Sequence, residues 1–557
     1  MAKKPNFLFI ITDQHRADHL GCYGNSLLRT PNIDSLARRG LAFDEFYVSC
    51  PICMPNRATI LTGRTPSASG VRQNGLPLSL DAVTFVDLLK AEGYSTGLIG
   101  KAHFQNISKQ DVSLEAPEPP SVKSAMAVPQ PGIDPDRPRR TRGVGEEPIG
   151  RDDALWNATR EWRTGPGYDL EWTGQWRVNP DYTVPTPYYG FDHVEIANGH
   201  GDWVGGDYAV WRARQDPDIA SKVGPPNGLD KGGVTAPQAW RTAVPEELWS
   251  STWVADRTID WLERQAGGKE PFFLFCSFPD PHNPFCPPGK YWDMYDPEEI
   301  PLPPSHDHVN RGEPRYLRTL RAHAAEGRKH DDFMWGFLAG ERHTREILAL
   351  TYGLISCIDD QVGRILAGLK ALGLEDDTVV VFTSDHGDFM GDHGLMLKQG
   401  LHYQGVIRVP FIWADPAGVT GRRSDVLGGS IDIAQTILNR AGVAAAAGMQ
   451  GFDIAGAAAT GKQPGRAGLM IEEDCPGLHI DMDFGLRTWT LIHDGWRLTR
   501  ILGEETGELF DRNVDPHEMT NLWSDPAARA KLQDMNERML AERMRLTDTV
   551  MLSPFMA

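Results

Sequence analysis

The sequence has no run of about 18 uninterrupted apolar residues, the length a membrane helix needs, which argues against a membrane-spanning role. Its first apolar stretch, 6–11, is too short for a signal-peptide core and ends at Thr12-Asp13 rather than at a small-residue cleavage site. A cytoplasmic protein is therefore expected, with no membrane partner. Cysteine is scarce, seven in 557 residues, an odd number with no spacing that resembles a disulfide framework. Cys50 and Cys53 form one CxxC, but a second pair, which a zinc site would need, is missing. Basic residues are outnumbered, 56 against 75 acidic, for a net charge of −19. That argues against a nucleic-acid surface, which needs a basic face. It does not exclude an anionic substrate, because a few local cations and a metal bind an anion inside an acidic protein. Internal repeats and low-complexity tracts are also missing.

What is present is ordinary for a globular chain: 40% hydrophobic and 24% charged residues. A chain of 557 residues exceeds the size at which one core stops growing, so two domains are expected. We place a catalytic domain at 1–464 and a small α+β unit with a tail at 465–557. Strand-like runs at 6–11, 95–99, 272–277, 378–383 and 409–413 alternate with helical patterns at 30–40, 56–61, 84–92, 352–372 and 432–442. This alternation predicts an α/β fold with a mainly parallel sheet flanked by helices. From about 106 to 250 the pattern gives way to Pro, Gly, Trp and charge, read as irregular insertions. After 465, short turn-bounded strands predict a small antiparallel sheet, followed by a helix at about 526–546. In parallel sheets ligands bind at the carboxyl ends of strands. Asp13, Lys101, His282 and Asp385-His386 all follow strand-like runs, and this shared position is the first sign of a single site.

The sharpest local feature is Cys53-Met54-Pro55-Asn56-Arg57, followed by Ala58-Thr59-Ile60-Leu61-Thr62-Gly63-Arg64. C-x-P-x-R with this continuation resembles the sulfatase motif of the alkaline phosphatase superfamily, as found in bacterial arylsulfatases and phosphonate monoester hydrolases. The resemblance implies an alkaline-phosphatase-like fold. It also implies that Cys53 is oxidised to formylglycine (3-oxoalanine) before folding, by a formylglycine-generating enzyme. The chemical logic is direct. A sulfate ester repels an anionic nucleophile, whereas an aldehyde hydrate offers one hydroxyl to attack sulfur and a second whose proton loss expels sulfate. A serine would be left holding a stable sulfate ester.

The same resemblance supplies the partners. Asp13, Gln14, Asp385 and His386, with Cys53, match the positions that bind one divalent ion. Many sulfatases carry Asp-Asp and Asp-Asn there. Asp-Gln and Asp-His leave Mn²⁺ in competition with Ca²⁺. Gly100-Lys101-Ala102-His103 resembles the G-K-x-H element, in which Lys and His contact the nucleophile and the sulfate. His282, in Pro281-His282-Asn283-Pro284, and Lys398 look like the contacts to sulfate oxygens and leaving group. Arg57 would hold the hydrate or an anionic oxygen, and Asn74 is a further substrate contact. His193, His200 and His402 are read as loop or core histidines, and Met390 and Met396 as packing residues. Gly507 to Leu522 resembles a structural element near the family's C-terminus. The expected reaction is arylsulfatase-type hydrolysis of a small-molecule sulfate ester. The alternative is hydrolysis of phosphonate monoesters or phosphodiesters by the same nucleophile. Relatives that do this share Asp-Gln but tend to carry Tyr and Thr in place of Lys101 and His103. A homo-oligomer, dimer or tetramer, is expected, with the apolar tail Val550 to Met556 packing on a neighbour.

Overall fold

The computed structural model describes residues 4–108, 163, 167–328, 336–475 and 486–550. Among them the main sheet has eight strands: β1 (Asn6–Thr12), β2 (Leu41–Phe43), β3 (Ser95–Gly100), β4 (His193–Ile196), β5 (Phe272–Ser277), β6 (Thr378–Ser384), β7 (Phe411–Ala414) and β8 (Arg422–Ser424). They lie side by side in the order β8-β2-β7-β6-β1-β5-β3-β4. β1 pairs in parallel with β5 and β6, β3 with β5 and β4, and β8 with β2. β7 runs antiparallel to both its neighbours.

The central strands are apolar throughout because both of their faces are covered. Alternate side chains point to opposite faces. Phe7, Phe9 and Ile11 join Phe273, Phe275, Val379 and Val381 in one core. Leu8 and Ile10 join Leu274, Val380 and Phe382 in the other. Helices α1 (Pro31–Arg39), α4 (Ser250–Gln265) and α5 (Glu341–Ala371) contribute to the Leu8 face; α2 (Cys53–Thr62), α3 (Phe85–Ala91) and α6 (Ile433–Ala441) contribute to the Phe9 face. The α/β class expected from the strand–helix alternation is the architecture found.

The C-terminal strands β9 (Leu469–Cys475), β10 (Leu486–His493), β11 (Trp496–Ile501) and β12 (Glu508–Asp511) form an antiparallel sheet in chain order, followed by α7 (Arg529–Arg545). Its buried cross-strand neighbours Leu491, Leu498 and Leu509 belong to the same cluster as the Phe9 face.

Two expectations change. The helix expected from Tyr352 begins at Glu341, because Ile347, Leu348 and Leu350 bury behind a first turn of charge that hides the period. The stretch read as irregular supplies β4, at the edge of the main sheet, and helices at Gly174–Val178 and Asp207–Gln215. An edge strand of four half-polar residues gives no apolar run to detect. Part of that stretch, 109–162, and the tail beyond Val550 lie outside the described residues. No helix among the described residues is long and apolar enough to cross a membrane.

The neighbouring strands β6, β1, β5 and β3 end side by side, and the chemistry-bearing residues follow them. Gly100 allows the last of these exits. Its φ is +107°, and a Cβ there would stand 1.8 Å from the Ser277 carbonyl oxygen. Lys101 turns off β3 directly beside the end of β5.

Candidate active site

Cys53 is the first residue of α2, rather than preceding a helix that starts at Asn56. Pro55 is compatible with this start, since first-turn N–H groups need no helical partner. No side chain of the residue before the helix caps it. Instead the Met54 N–H donates to Asn74 Oδ1 at 3.2 Å. Asn74, expected as a substrate contact, stands beside Cys53 with its carbonyl already occupied by the helix. Replacing it by alanine should cost about 1 kcal/mol of stability, the usual value of a lost cap, and a thermal melt of the variant checks this.

The Cys53 Sγ lies 3.1 Å from His386 Nε2, 3.3 Å from Lys398 Nζ and 3.7 Å from Asp13 Oδ1. Burial and Asp13 push the thiol up, but Lys398, Lys101 and His386 outweigh them and the net shift is downward. A helix N-terminus adds to this preference for negative charge.

Asp13 and Asp385 are fully buried. Burial alone would raise the Asp13 carboxyl, but the charges of Lys101 and His282 and hydrogen bonds from His200 and His386 hold it well below the usual range. Lys101 forms an ion pair with Asp13 and approaches His200 Nε2 at 2.9 Å. Asp385 Oδ2 accepts from Arg57 Nε at 2.7 Å. Arg57 Nη1 donates to the Lys101 carbonyl at 2.8 Å and to Ser277 Oγ at 3.0 Å. Its Nη2 is buried with no hydrogen-bond partner among the described residues. Arg57 thus ties the ends of β3, β5 and β6 together and leaves one donor open.

Lys398 Nζ contacts Gln14 Oε1 at 3.0 Å, His282 Nε2 at 2.9 Å and His386 Nε2 at 2.9 Å. It sits in a strained loop in which Leu397 and Gln399 have φ of 67° and 91°. The C-terminal sheet anchors that loop: Glu473 of β9 accepts from the Gly400 N–H at 2.9 Å and pairs with His402 at 3.0 Å. His402 is therefore a core histidine, as expected. Met390 and Met396 are buried packing residues.

His200 corrects the sequence reading. It is no idle loop histidine: its ring stacks on His282 with centroids 3.6 Å apart, and its Nε2 is 3.5 Å from Asp13 Oδ2. No local pattern marks it, because its partners lie at the ends of distant strands. His103 is buried beside them; burial, Lys101, Arg57 and His200 together hold its pKa well below the ordinary imidazole range.

Asp13, Cys53, Asp385 and His386 each bring one donor atom within 4.8 Å of the others. His386 Nε2 is 3.4 Å from Asp13 Oδ1 and 3.6 Å from Asp385 Oδ1. Two ligands each about 2.3 Å from one ion are about 3.3 Å apart at a right angle, so the donor set fits a single divalent cation. In a second group, Asp13, His200 and His282, the Lys101 ammonium already touches Asp13 and His200, and that of Lys398 touches His282.

A cluster of buried carboxylates, imidazoles, ammonium groups and a thiol at the carboxyl edge of a mainly parallel, helix-flanked sheet has the make-up of a hydrolase that handles an anionic ester. Comparison with known proteins narrows the class. The profile of the family described as Sulfatase matches residues 5–124 and 164–443, and that of the N-sulphoglucosamine sulphohydrolase C-terminal region matches 391–545. The chain therefore belongs to the sulfatase family and is a sulfuric ester hydrolase. It is 26% identical to an arylsulfatase of Clostridium perfringens, over 97% of this chain and 94% of that one. It is 28% identical to the multifunctional alkaline phosphatase superfamily protein PehA of Trinickia caryophylli, over 98% and 96%. Its fold matches the phosphonate monoester hydrolase of Agrobacterium radiobacter with a TM-score of 0.71, 24% identity, and coverage of 98% of this chain and 97% of that one.

Proposed function

We propose that the chain hydrolyses small-molecule sulfate esters of the arylsulfatase type, with Cys53 matured to formylglycine and one divalent ion held by Asp13, Gln14, Asp385 and His386. One observation carries the reading: the Cys53 side chain meets the tips of β1 and β6 and the Lys398 ammonium at a helix N-terminus. The matured side chain and the ion together would supply a metal-activated hydroxyl and the means to release sulfate.

The chain's own residues do the rest. Lys101, paired with Asp13, and Lys398, against Cys53 and His386, bring two ammonium groups to the cluster, where charge would develop on sulfate oxygens and leaving group. His103, held neutral by burial and by the surrounding cations, is suited to accept a proton. His282 fixes Lys398 and stacks on His200, which faces Lys101. Arg57 aligns Asp385 and offers Nη2 to an anion. Cys53 is 1% exposed, so its conversion has to precede folding, in keeping with a formylglycine-generating enzyme acting on the nascent chain.

The Asp13-Gln14 pair and the likeness in fold to a phosphonate monoester hydrolase favour a second reading, hydrolysis of phosphonate monoesters or phosphodiesters at the same site. The Lys101–His103 pair and the likeness to an arylsulfatase support sulfate. The expected result is a higher kcat/KM for an aryl sulfate than for a phenyl phosphonate monoester, measured on the same preparation. A ratio strongly favouring the phosphonate reverses the order of the two readings.

A further inference from the structure

We infer that Glu171, far from the catalytic cluster in sequence, is a positioning residue that holds the His103 and His200 segments in one geometry. The inference rests on the proposed function, in which His103 accepts a proton and His200 faces Lys101.

Glu171 is fully buried. Its Oε1 accepts from the Phe104 N–H at 2.9 Å, the Gln105 N–H at 3.0 Å and the Tyr188 hydroxyl at 2.5 Å. Its Oε2 accepts from Asn198 Nδ2 at 2.9 Å, and Asn198 Oδ1 accepts from the Ala102 N–H at 3.0 Å. One carboxylate and one amide thus take up three backbone N–H groups of the 102–105 segment, which carries His103 at φ 55°. A left-handed conformation at a non-glycine residue persists only where its surroundings enforce it. The same amide lies two residues before His200. Each group that reaches Glu171 is a donor, so only an acceptor at both oxygens satisfies the network.

That polarity makes the role testable. In Glu171→Gln, an amide oxygen placed at the Oε1 position leaves the new NH₂ facing the Asn198 NH₂. If Asn198 turns over, its own NH₂ then faces the Ala102 N–H. Either orientation sets two donors against each other. In Asn198→Asp the chain fails differently, with two carboxylates side by side. The double variant Glu171→Gln/Asn198→Asp restores a match at every link: the glutamine NH₂ donates to Asp, and the other Asp oxygen keeps the Ala102 N–H.

The experiment measures kcat and KM for an aryl sulfate, calorimetric affinity for inorganic sulfate, and the melting temperature of metal-loaded, matured enzyme in the wild type, both single variants and the double variant. Each single variant should lose about 10–100-fold in kcat, the usual effect of a group that orients a site residue, and should bind sulfate more weakly. The double variant should recover most of both. A merely structural Glu171 would lower the melting temperature and leave kcat and sulfate affinity of the folded enzyme unchanged, and that result overturns the inference. Should a single variant fail to fold, Tyr188→Phe, which removes one donor to Glu171 Oε1, takes its place: a folded variant with lowered kcat and weaker sulfate binding supports the inference, and unchanged values overturn it. Wild-type enzyme inactive on sulfate esters would defeat the proposed function instead. Sulfate affinity would then still decide the inference, since loss in the single variants and recovery in the double variant does not depend on turnover.

Discussion

Cys53→Ala should lower turnover at least about 10⁴-fold, and Cys53→Ser should do nearly the same, because nucleophile replacements remove most of a catalytic unit's effect. The structure makes this a clean test. Cys53 is a small residue at the start of α2, and the local hydrogen bonds run through Asn56, Met54 and Arg57, which both substitutions leave in place. The variants should therefore fold, and a melting temperature near that of the wild type would show that the lost rate is chemical. Serine keeps a hydroxyl at the site but lacks the second one that formylglycine hydrate provides. A companion measurement is the mass of the peptide containing Cys53, which conversion lowers by about 18 Da. Full activity with unmodified sulfur at residue 53 would contradict the mechanism.

Removing divalent ions should abolish turnover, and Ca²⁺ or Mn²⁺ should restore it. Asp13 and Asp385 carry two buried carboxylates, and the fixed cations that touch them are Lys101 and Arg57. An ion bound to the folded chain at about a thousandfold excess over its Kd contributes about 4 kcal/mol of stability, so chelation should also lower the melting temperature by several degrees. Comparing the two refilled forms separates the candidate ions. A site with two carboxylates, an amide oxygen and an imidazole is softer than an all-oxygen one, which favours Mn²⁺ more than Asp-Asp with Asp-Asn would. Activity that survives exhaustive chelation would rule out the assigned ligand set.

Much of the cluster was readable in the sequence because parallel sheets put their chemistry at strand ends. Asp13, Lys101 and Asp385 each come directly after an apolar run whose period and length identify a buried strand, and Cys53 carries a local motif. His282 is a few residues past β5 and could be placed for the same reason. His200 and Glu171 could not. Both lie in the stretch where short elements, prolines and polar residues leave no period to follow, and both act through partners that only the folded sheet brings near. The start of α5 was hidden for a related reason: its first turn is charged, and its burial depends on neighbours from elsewhere in the chain. Asn74 was found as a residue of the site, but its hydrogen bond to α2 depends on a helix start that the sequence pattern placed three residues too late.

The hold of Glu473 on the Gly400 N–H and on His402 gives the last part of the chain a say in chemistry performed at the first. The loop that carries Lys398 is thus held from two sides, by the strand ends that its ammonium group touches and by a carboxylate of the C-terminal sheet. Removing that one carboxylate, as in Glu473→Gln, should therefore reach the second ammonium group of the site without touching it, and read out as weaker binding of an anion.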